Sequence, residues 1–252
     1  MFSLKGKHAL VTGGGRGIGR SIARGLLEQG AHVTIAGRTR DTLERACKEL
    51  TNQYGGRMDW QICDVRDCES TAAMMRRVEE SGEGLDILVN NAALHMAEPI
   101  ESMDMERARV ILDTNIMGLY GICRAALPML KAGGRGKIIN LTSIMGSQGR
   151  KGIGVYSATK AAISQITRVM AIEWAAYGIQ VNGIAPGMIA TDFTAAVQAD
   201  DALSGYFRTR APLGRLGTPD DCAACAAFLA CDENSFMTGA IVTVDGGISI
   251  QV

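Results

Sequence analysis

Tyr156 and Lys160 stand four residues apart in Tyr-Ser-Ala-Thr-Lys, ahead of a helical pattern that runs on to Glu173. Helical spacing of this kind puts both side chains on one face, where they can converge. A tyrosine is a poor acid–base catalyst at neutral pH because its ordinary pKa is about 10, but a neighbouring ammonium favours phenolate and lowers it. A pair so tuned can give a proton to a carbonyl oxygen or take one from a hydroxyl. The same spacing also occurs in ordinary surface pairs. Thr142-Ser143 adds context, since it follows the apolar run Lys137 to Leu141. A hydroxyl at a strand's C-terminal end can hold the reacting oxygen beside Tyr156, although a loop Ser in isolation reads as a turn or cap residue.

A second constellation lies near the N-terminus. The apolar run His8 to Thr12 leads directly into Gly13-Gly14-Gly15-Arg16-Gly17-Ile18-Gly19 and then a helical pattern from Arg20 to Gln29. Glycines at a strand-to-helix turn let the backbone approach a pyrophosphate, and the helix N-terminus offers free N–H groups and a positive dipole end. The spacing is Gly-x-x-x-Gly-x-Gly rather than the commoner dinucleotide fingerprint. About twenty residues on, the next strand ends in Ala36-Gly37-Arg38, where an NAD site places a carboxylate for the ribose hydroxyls. Gly37 has none, while Arg38 and Arg16 can pair with a 2′-phosphate. NADP(H) is therefore expected over NAD(H), with solvated surface arginines as the alternative.

Positioning these groups requires a particular scaffold. His8 to Thr12, His32 to Ala36, Asp59 to Cys63, Ile87 to Asn90, Lys137 to Leu141, Gln180 to Ala185 and Ala240 to Val244 are short apolar runs separated by helical stretches. Their lack of alternating polarity predicts strands buried on both faces. The fold class expected is α/β: a Rossmann-type doubly wound parallel sheet of about seven strands with helices on both faces. Right-handed crossovers then put a ligand crevice at the strand C-termini. Residues 1–252 read as one NAD(P)-binding domain, with a long aperiodic stretch at 187–217 that reads as a substrate-side lid or a plain surface excursion.

Composition narrows the partners. Lys plus Arg equals Asp plus Glu at 26 each, so no net field draws in nucleic acid or an anionic membrane. No signal peptide or membrane-spanning run is expected, which points to the cytosol. Seven scattered cysteines suit reduced thiols. Cys222 and Cys225 form a Cys-x-x-Cys without a second ligand pair, so packing is expected rather than metal or redox use, and no metal site is expected.

Thr12-Gly-x-x-x-Gly17-x-Gly19, Asn90-Asn91-Ala92-Ala93, Asn115, Ser143, Tyr156-x-x-x-Lys160 and Pro186-Gly187 occur in the order and spacing of the short-chain dehydrogenase/reductase family, which the whole chain resembles. The resemblance implies that Gly13, Arg16, Gly17, Ile18 and Gly19 bind the cofactor with Arg38, that Asp64 and Val65 contact adenine, and that Asn91 lines the cofactor pocket. It implies that Asn115 holds a water beside Lys160 for proton relay, and that Ile189 and Thr191 touch the nicotinamide half. Tyr156 and Lys160 would contact the cofactor as well as act in catalysis, Lys160 through the nicotinamide ribose. Ala93 departs from the family's more usual Gly. A homotetramer is implied too, with the helix around Lys160 to Tyr177 at a subunit contact.

Two other readings share such a sheet: a silent dinucleotide sensor, which predicts damage to Ser, Tyr or Lys, and a methyltransferase, which has no need of the Tyr–Lys pair. Within the enzyme reading, the expected substrate is a small polar ketone or hydroxy compound, free in solution. A 3-oxoacyl-[acyl-carrier-protein] reductase is the alternative, weakened by Tyr177 where carrier-protein reductases often place a basic residue before Gly178. Trp174 resembles the sugar-acid branch or is core packing. Arg208, Arg210 and Arg215 could pair with a substrate carboxylate or phosphate, or be solvated.

Overall fold

A computed structural model describes residues 2–251. The order of elements is β1 (His8–Thr12), α1 (Gly17–Glu28), β2 (His32–Gly37), α2 (Arg40–Tyr54), β3 (Met58–Ile62), α3 (Cys68–Glu80) and β4 (Ile87–Asn90). There follow α4 (Met105–Leu112), α5 (Gly118–Gly133), β5 (Lys137–Leu141), α6 (Gly154–Trp174), β6 (Gln180–Pro186), α7 (Ala195–Gln198), α8 (Asp201–Arg210), α9 (Pro219–Ala230) and β7 (Ile241–Val244).

The seven strands form one parallel sheet in the order β3-β2-β1-β4-β5-β6-β7. The chain moves outward from β1 to β3, then restarts on the other side of β1 with β4, so the two loops leaving β1 and β4 diverge and open the ligand crevice. Alternate residues of the central strands feed separate cores. Val11, Val33, Val89 and Ile139 pack under α1, α2 and α9, whereas Leu10, Leu88, Ile138 and Val181 pack under α3, α5 and α6. Burial on both faces is what makes the strand runs continuously apolar.

Strand ends depart from expectation by a residue in several places. β3 runs from Met58 to Ile62 rather than from Asp59 to Cys63, because the edge strand takes its register from β2, Val33 facing Met58 and Gly37 facing Ile62. The expectation that no run is long enough to span a bilayer also needs correction. The continuous helical stretch Met105–Gly133 meets that length and composition, with a mean hydropathy of 1.3. Its apolar residues have a local destination: Leu119, Ile122, Cys123, Ala126 and Leu130 are buried against the sheet and α3.

The 187–217 stretch is closed at its neck, where the Ala190 N–H donates to Gly217 (2.8 Å) and the Gly217 N–H to Met188 (2.9 Å). Between these points it carries a short turn at 192–194 followed by α7 and α8. Cys222 and Cys225 lie on α9, and burial pushes their thiols up to about 12 and about 11. Both are inert packing groups on that account.

Candidate active site

The glycine turn is built for close backbone approach. Gly13 adopts φ +64°, a left-handed conformation that disfavours side chains, and its N–H donates to Ala36 (2.7 Å). A Cβ on Gly19 would stand 2.3 Å from the Gly13 carbonyl oxygen and 2.4 Å from Asn91 Nδ2. Asn91 Nδ2 itself donates to the Thr12 and Gly13 carbonyls at 3.0 and 3.1 Å, while Thr12 Oγ1 accepts from the Asn91 and Ala92 N–H groups. The turn after β1 is thus tied to the turn after β4.

α1 begins directly on this turn. Its N-cap residue, Arg16, is extended and makes no side-chain cap bond, and no acidic residue occupies the first turn. The orphan N–H groups of Gly17, Ile18 and Gly19 therefore suit an external anion. Arg16 and Arg38 are both exposed, and among the described residues neither has a carboxylate at ion-pair distance. Thr191 faces the turn, its Cγ2 being 3.5 Å from where a Gly17 Cβ would lie. A groove that begins at this contact continues along α1, past Arg20 and Arg24, to Tyr54 and Asp220. These features fit a dinucleotide phosphate.

Along the same edge, Asp64 is clasped by Arg66, with Nη2 2.6 Å from Oδ2 and the Arg66 N–H 3.1 Å from Oδ1. That contact, helped by Arg38, holds the Asp64 carboxyl below its ordinary range. Val65 packs on the first residue of α5, where a Cβ on Gly118 would meet Val65 Cγ2 at 2.7 Å.

Ser143, Tyr156 and Lys160 converge across the crevice. The Lys160 side chain is buried and its Nζ donates to the Leu141 carbonyl at the end of β5 (2.6 Å), 5.6 Å from the centre of the Tyr156 ring. Burial lowers its pKa to about 8. Burial pushes the Tyr156 phenol up to about 12, opposed by a hydrogen bond with Ser143. The sequence expectation of a phenol lowered by its lysine is therefore not met, because the ammonium is directed at the strand carbonyl and desolvation dominates.

Asn115 lies in a π-helical turn, Asp113–Met117, between α4 and α5. Both of its amide hydrogens are committed: Nδ2 donates to the Leu94 carbonyl (2.9 Å) and to Thr159 Oγ1 (3.0 Å), while Oδ1 accepts from the Leu94 N–H (2.7 Å). A water at this residue therefore has to donate, to Oδ1 or to the main-chain carbonyl.

A family model described as enoyl-(acyl carrier protein) reductase matches residues 13–249. The gluconate 5-dehydrogenase of Gluconobacter oxydans is 34% identical over 252 residues, covering 100% of this chain and 98% of its own. The 3-oxoacyl-[acyl-carrier-protein] reductase of Chlamydia trachomatis is 37% identical, covering 98% of each. The chain belongs to the short-chain dehydrogenase/reductase family. A solved gluconate 5-dehydrogenase from Burkholderia cenocepacia, in complex with NADP and tartrate, superposes with a TM-score of 0.95 at 35% identity, covering 100% of this chain and 98% of that one. The chain is thus a dehydrogenase or reductase acting on CH–OH groups with a nicotinamide dinucleotide.

Within this short-chain dehydrogenase/reductase, the structure brings Gly13, Gly17, Gly19, Asn91 and Thr191 together at one end of the crevice and Ser143, Tyr156 and Lys160 at the other. Ile18 packs on the core, and Ile189 is buried at the neck of the 187–217 excursion. Arg215 is not available to a substrate: it forms a two-pronged contact with Asp221 at 2.8 and 2.9 Å. Arg210 lies over Tyr206, and Arg208 Nε donates to the Ser204 carbonyl (3.4 Å). One residue that sequence reasoning passed over, His95, faces the phenol together with Phe193 of the 187–217 stretch. The His95 ring centre is 4.9 Å from that of Tyr156 and 5.5 Å from that of Phe193. No periodic pattern surrounds His95, so only the fold reveals it. His8, His32 and Glu83 approach one another at the opposite, N-terminal edge of the sheet, but every ring nitrogen there already has a protein partner.

Proposed function

We propose that this enzyme interconverts a small polar ketone and its secondary alcohol with NADP(H), through Ser143, Tyr156 and Lys160 with Asn115 in support. The observation that carries the reading is the convergence of half-buried Ser143 and Tyr156 with the buried Lys160 beside the glycine turn. The cofactor, when bound, supplies or accepts the hydride. In reduction, the Ser143 hydroxyl holds the carbonyl oxygen, and the Tyr156 phenol, kept protonated by burial, gives its proton to that oxygen as negative charge develops. Lys160, with a pKa of about 8, is mainly protonated at neutral pH and close enough to that range to restore the phenol's proton. Gly13, Gly17, Ile18 and Gly19 receive the pyrophosphate, Asp64 and Val65 the adenine, and Ile189, Thr191 and Asn91 frame the remainder. Arg16 and Arg38 favour the 2′-phosphate, because Gly37 brings no carboxylate to repel it.

The carrier-protein reductase reading is disfavoured by Tyr177, which stands before Gly178 where reductases of that kind often place a basic residue for their acidic partner. We also infer a cytosolic location and a homotetramer, the latter supported by exposed Met117 in the π-helical turn, Tyr120 on α5, and Val169 and Ile172 on α6. Loss of nicotinamide absorbance, measured with free keto acids, small ketones, steroids and carrier-linked 3-oxoacyl chains side by side, tests the assignment. A far higher kcat/KM for the carrier-linked chain overturns it, and light scattering at a mass other than four chains overturns the tetramer.

A further inference from the structure

Resting on the oxidoreductase reading above, we propose that the substrate is a hydroxy or keto acid whose carboxylate is received by Arg150 and whose neighbouring hydroxyl is received by His95. His95 does not sit beside the phenol by accident of packing. Asn115 grips both backbone polar groups of Leu94, the residue before it, at 2.7 and 2.9 Å. A parallel bridge pairs Glu98 with Ile153, and the Glu98 N–H donates to the Gly152 carbonyl at 2.7 Å. Three residues back along each of these paired segments stand His95 and Arg150.

His95 is half-buried against Tyr156 and Phe193, and its Nδ1 is enclosed with no hydrogen-bond partner among the described residues. A buried ring nitrogen left unpaired is costly unless a ligand group completes it. Burial and the nearby Arg150 charge both hold the imidazole below its ordinary pKa. A neutral ring with one bare nitrogen accepts a hydrogen bond from a hydroxyl.

Arg150 is exposed in the loop after β5, its guanidinium 4.9 Å from the centre of the Phe207 ring on α8. Among the described residues no carboxylate lies at ion-pair distance from it. It is therefore a cation held at the mouth by stacking, with its fork of donors uncommitted. Planar forks match carboxylates. The three arginines of the 187–217 stretch are less suited, Arg215 being tied to Asp221 and the other two lying along α8.

Matched pairs test this: D-gluconate against sorbitol for oxidation, and acetoacetate against methyl acetoacetate for reduction, each with wild type, Arg150→Ala, Arg150→Lys and His95→Phe. NADPH affinity and melting temperature serve as folding controls. The expected result is at least a tenfold higher kcat/KM for the better acid than for its neutral partner. Arg150→Ala should abolish that ratio through KM, Arg150→Lys should restore part of it, and neither should change turnover of the neutral partner. His95→Phe, which keeps the ring packing, should raise KM for gluconate more than for acetoacetate, which has no hydroxyl. Equal use of acid and neutral partner, or a ratio unchanged by Arg150→Ala, overturns the proposal while leaving the oxidoreductase reading intact. No nicotinamide turnover with any of the four overturns the proposal, and the oxidoreductase reading falls with it only if the wider carbonyl panel above is inert as well.

Discussion

Replacing Lys160 by Met should make the protein inactive and change how its stability depends on pH. The ammonium is buried, and burial drops its pKa from the ordinary 10.5 to about 8. At ~1.4 kcal/mol per pH unit, holding that charge costs about 3 kcal/mol at neutral pH. The sign follows from proton counts: between pH 8 and 10.5 the unfolded chain binds the proton and the native one does not, so wild-type stability rises with pH across that window. Met fills similar space without charge and is spared the cost. It also leaves the Leu141 carbonyl without its 2.6 Å donor, a loss of about 1–2 kcal/mol. Lys160→Met is therefore expected to be about 1–2 kcal/mol more stable than wild type at pH 7 and less stable by a similar amount near pH 10.5. Urea unfolding of both proteins at matched concentration, followed by circular dichroism at several pH values, reads the difference directly. A difference that stays flat within about 1 kcal/mol over this range would show that the ammonium is solvated and that the relay built on it is misplaced.

Three further outcomes are expected. Tyr156→Phe should lose at least ~10²-fold in turnover while keeping NADPH affinity in fluorescence titration; retention of more than a tenth of the rate rules out the phenol as proton donor. Gly37→Asp with Arg38→Ala should shift preference from NADPH toward NADH, and the fold should tolerate it, since a Cβ on Gly37 meets Leu43 at an ordinary 3.5 Å. Comparable kcat/KM for the two cofactors in the unmodified enzyme defeats that reasoning. Gly19→Ala should weaken dinucleotide binding and cost about 1–3 kcal/mol, because the new methyl runs into the Gly13 carbonyl and the Asn91 amide. Unchanged binding in calorimetry would mean that the turn yields without consequence.

The scaffold was legible because burial on both faces leaves a plain mark: strands such as Leu10 and Val11 must be apolar in either direction. Edge strands blur it: in β3 the polar Asp59 and the apolar Ile62 are both exposed, so its ends are displaced by a residue. The Tyr156–Lys160 pair was legible because four-residue spacing has a single geometric meaning in a helix. Its electrostatics were not, since the direction of the phenol's shift depends on which carbonyl the ammonium finds and how deeply both are enclosed. Asn91 and Asn115 were recognisable as members of a pattern, but their amides prove to be spent on the chain itself, on Thr12 and Gly13 in one case and on Leu94 in the other. Arg150 was invisible for a different reason: its relation to His95 runs through one bridge between two loops, a long-range contact without local periodicity.

α6 is fastened to β5 at two successive strand residues: Lys160 reaches the Leu141 carbonyl, and Thr167 Oγ1, seven residues on, accepts from Asn140 Nδ2 at 2.9 Å. Asn140 Oδ1 in turn accepts from Asn90 Nδ2 on β4 (2.9 Å). The proton-handling groups therefore ride on a braced beam, whereas Arg150, Phe193 and Phe207 stand on the loop after β5 and the 187–217 excursion. Ser143 and Gly146 also lie on the loop after β5, and a Cβ on Gly146 would stand 2.9 Å from the Lys160 carbonyl, so exchanges that begin beyond Gly146 are the ones that spare both the serine and the beam. Substrate range and proton chemistry can consequently drift independently, and a grafted pair of outer segments from a relative should carry its selectivity with it.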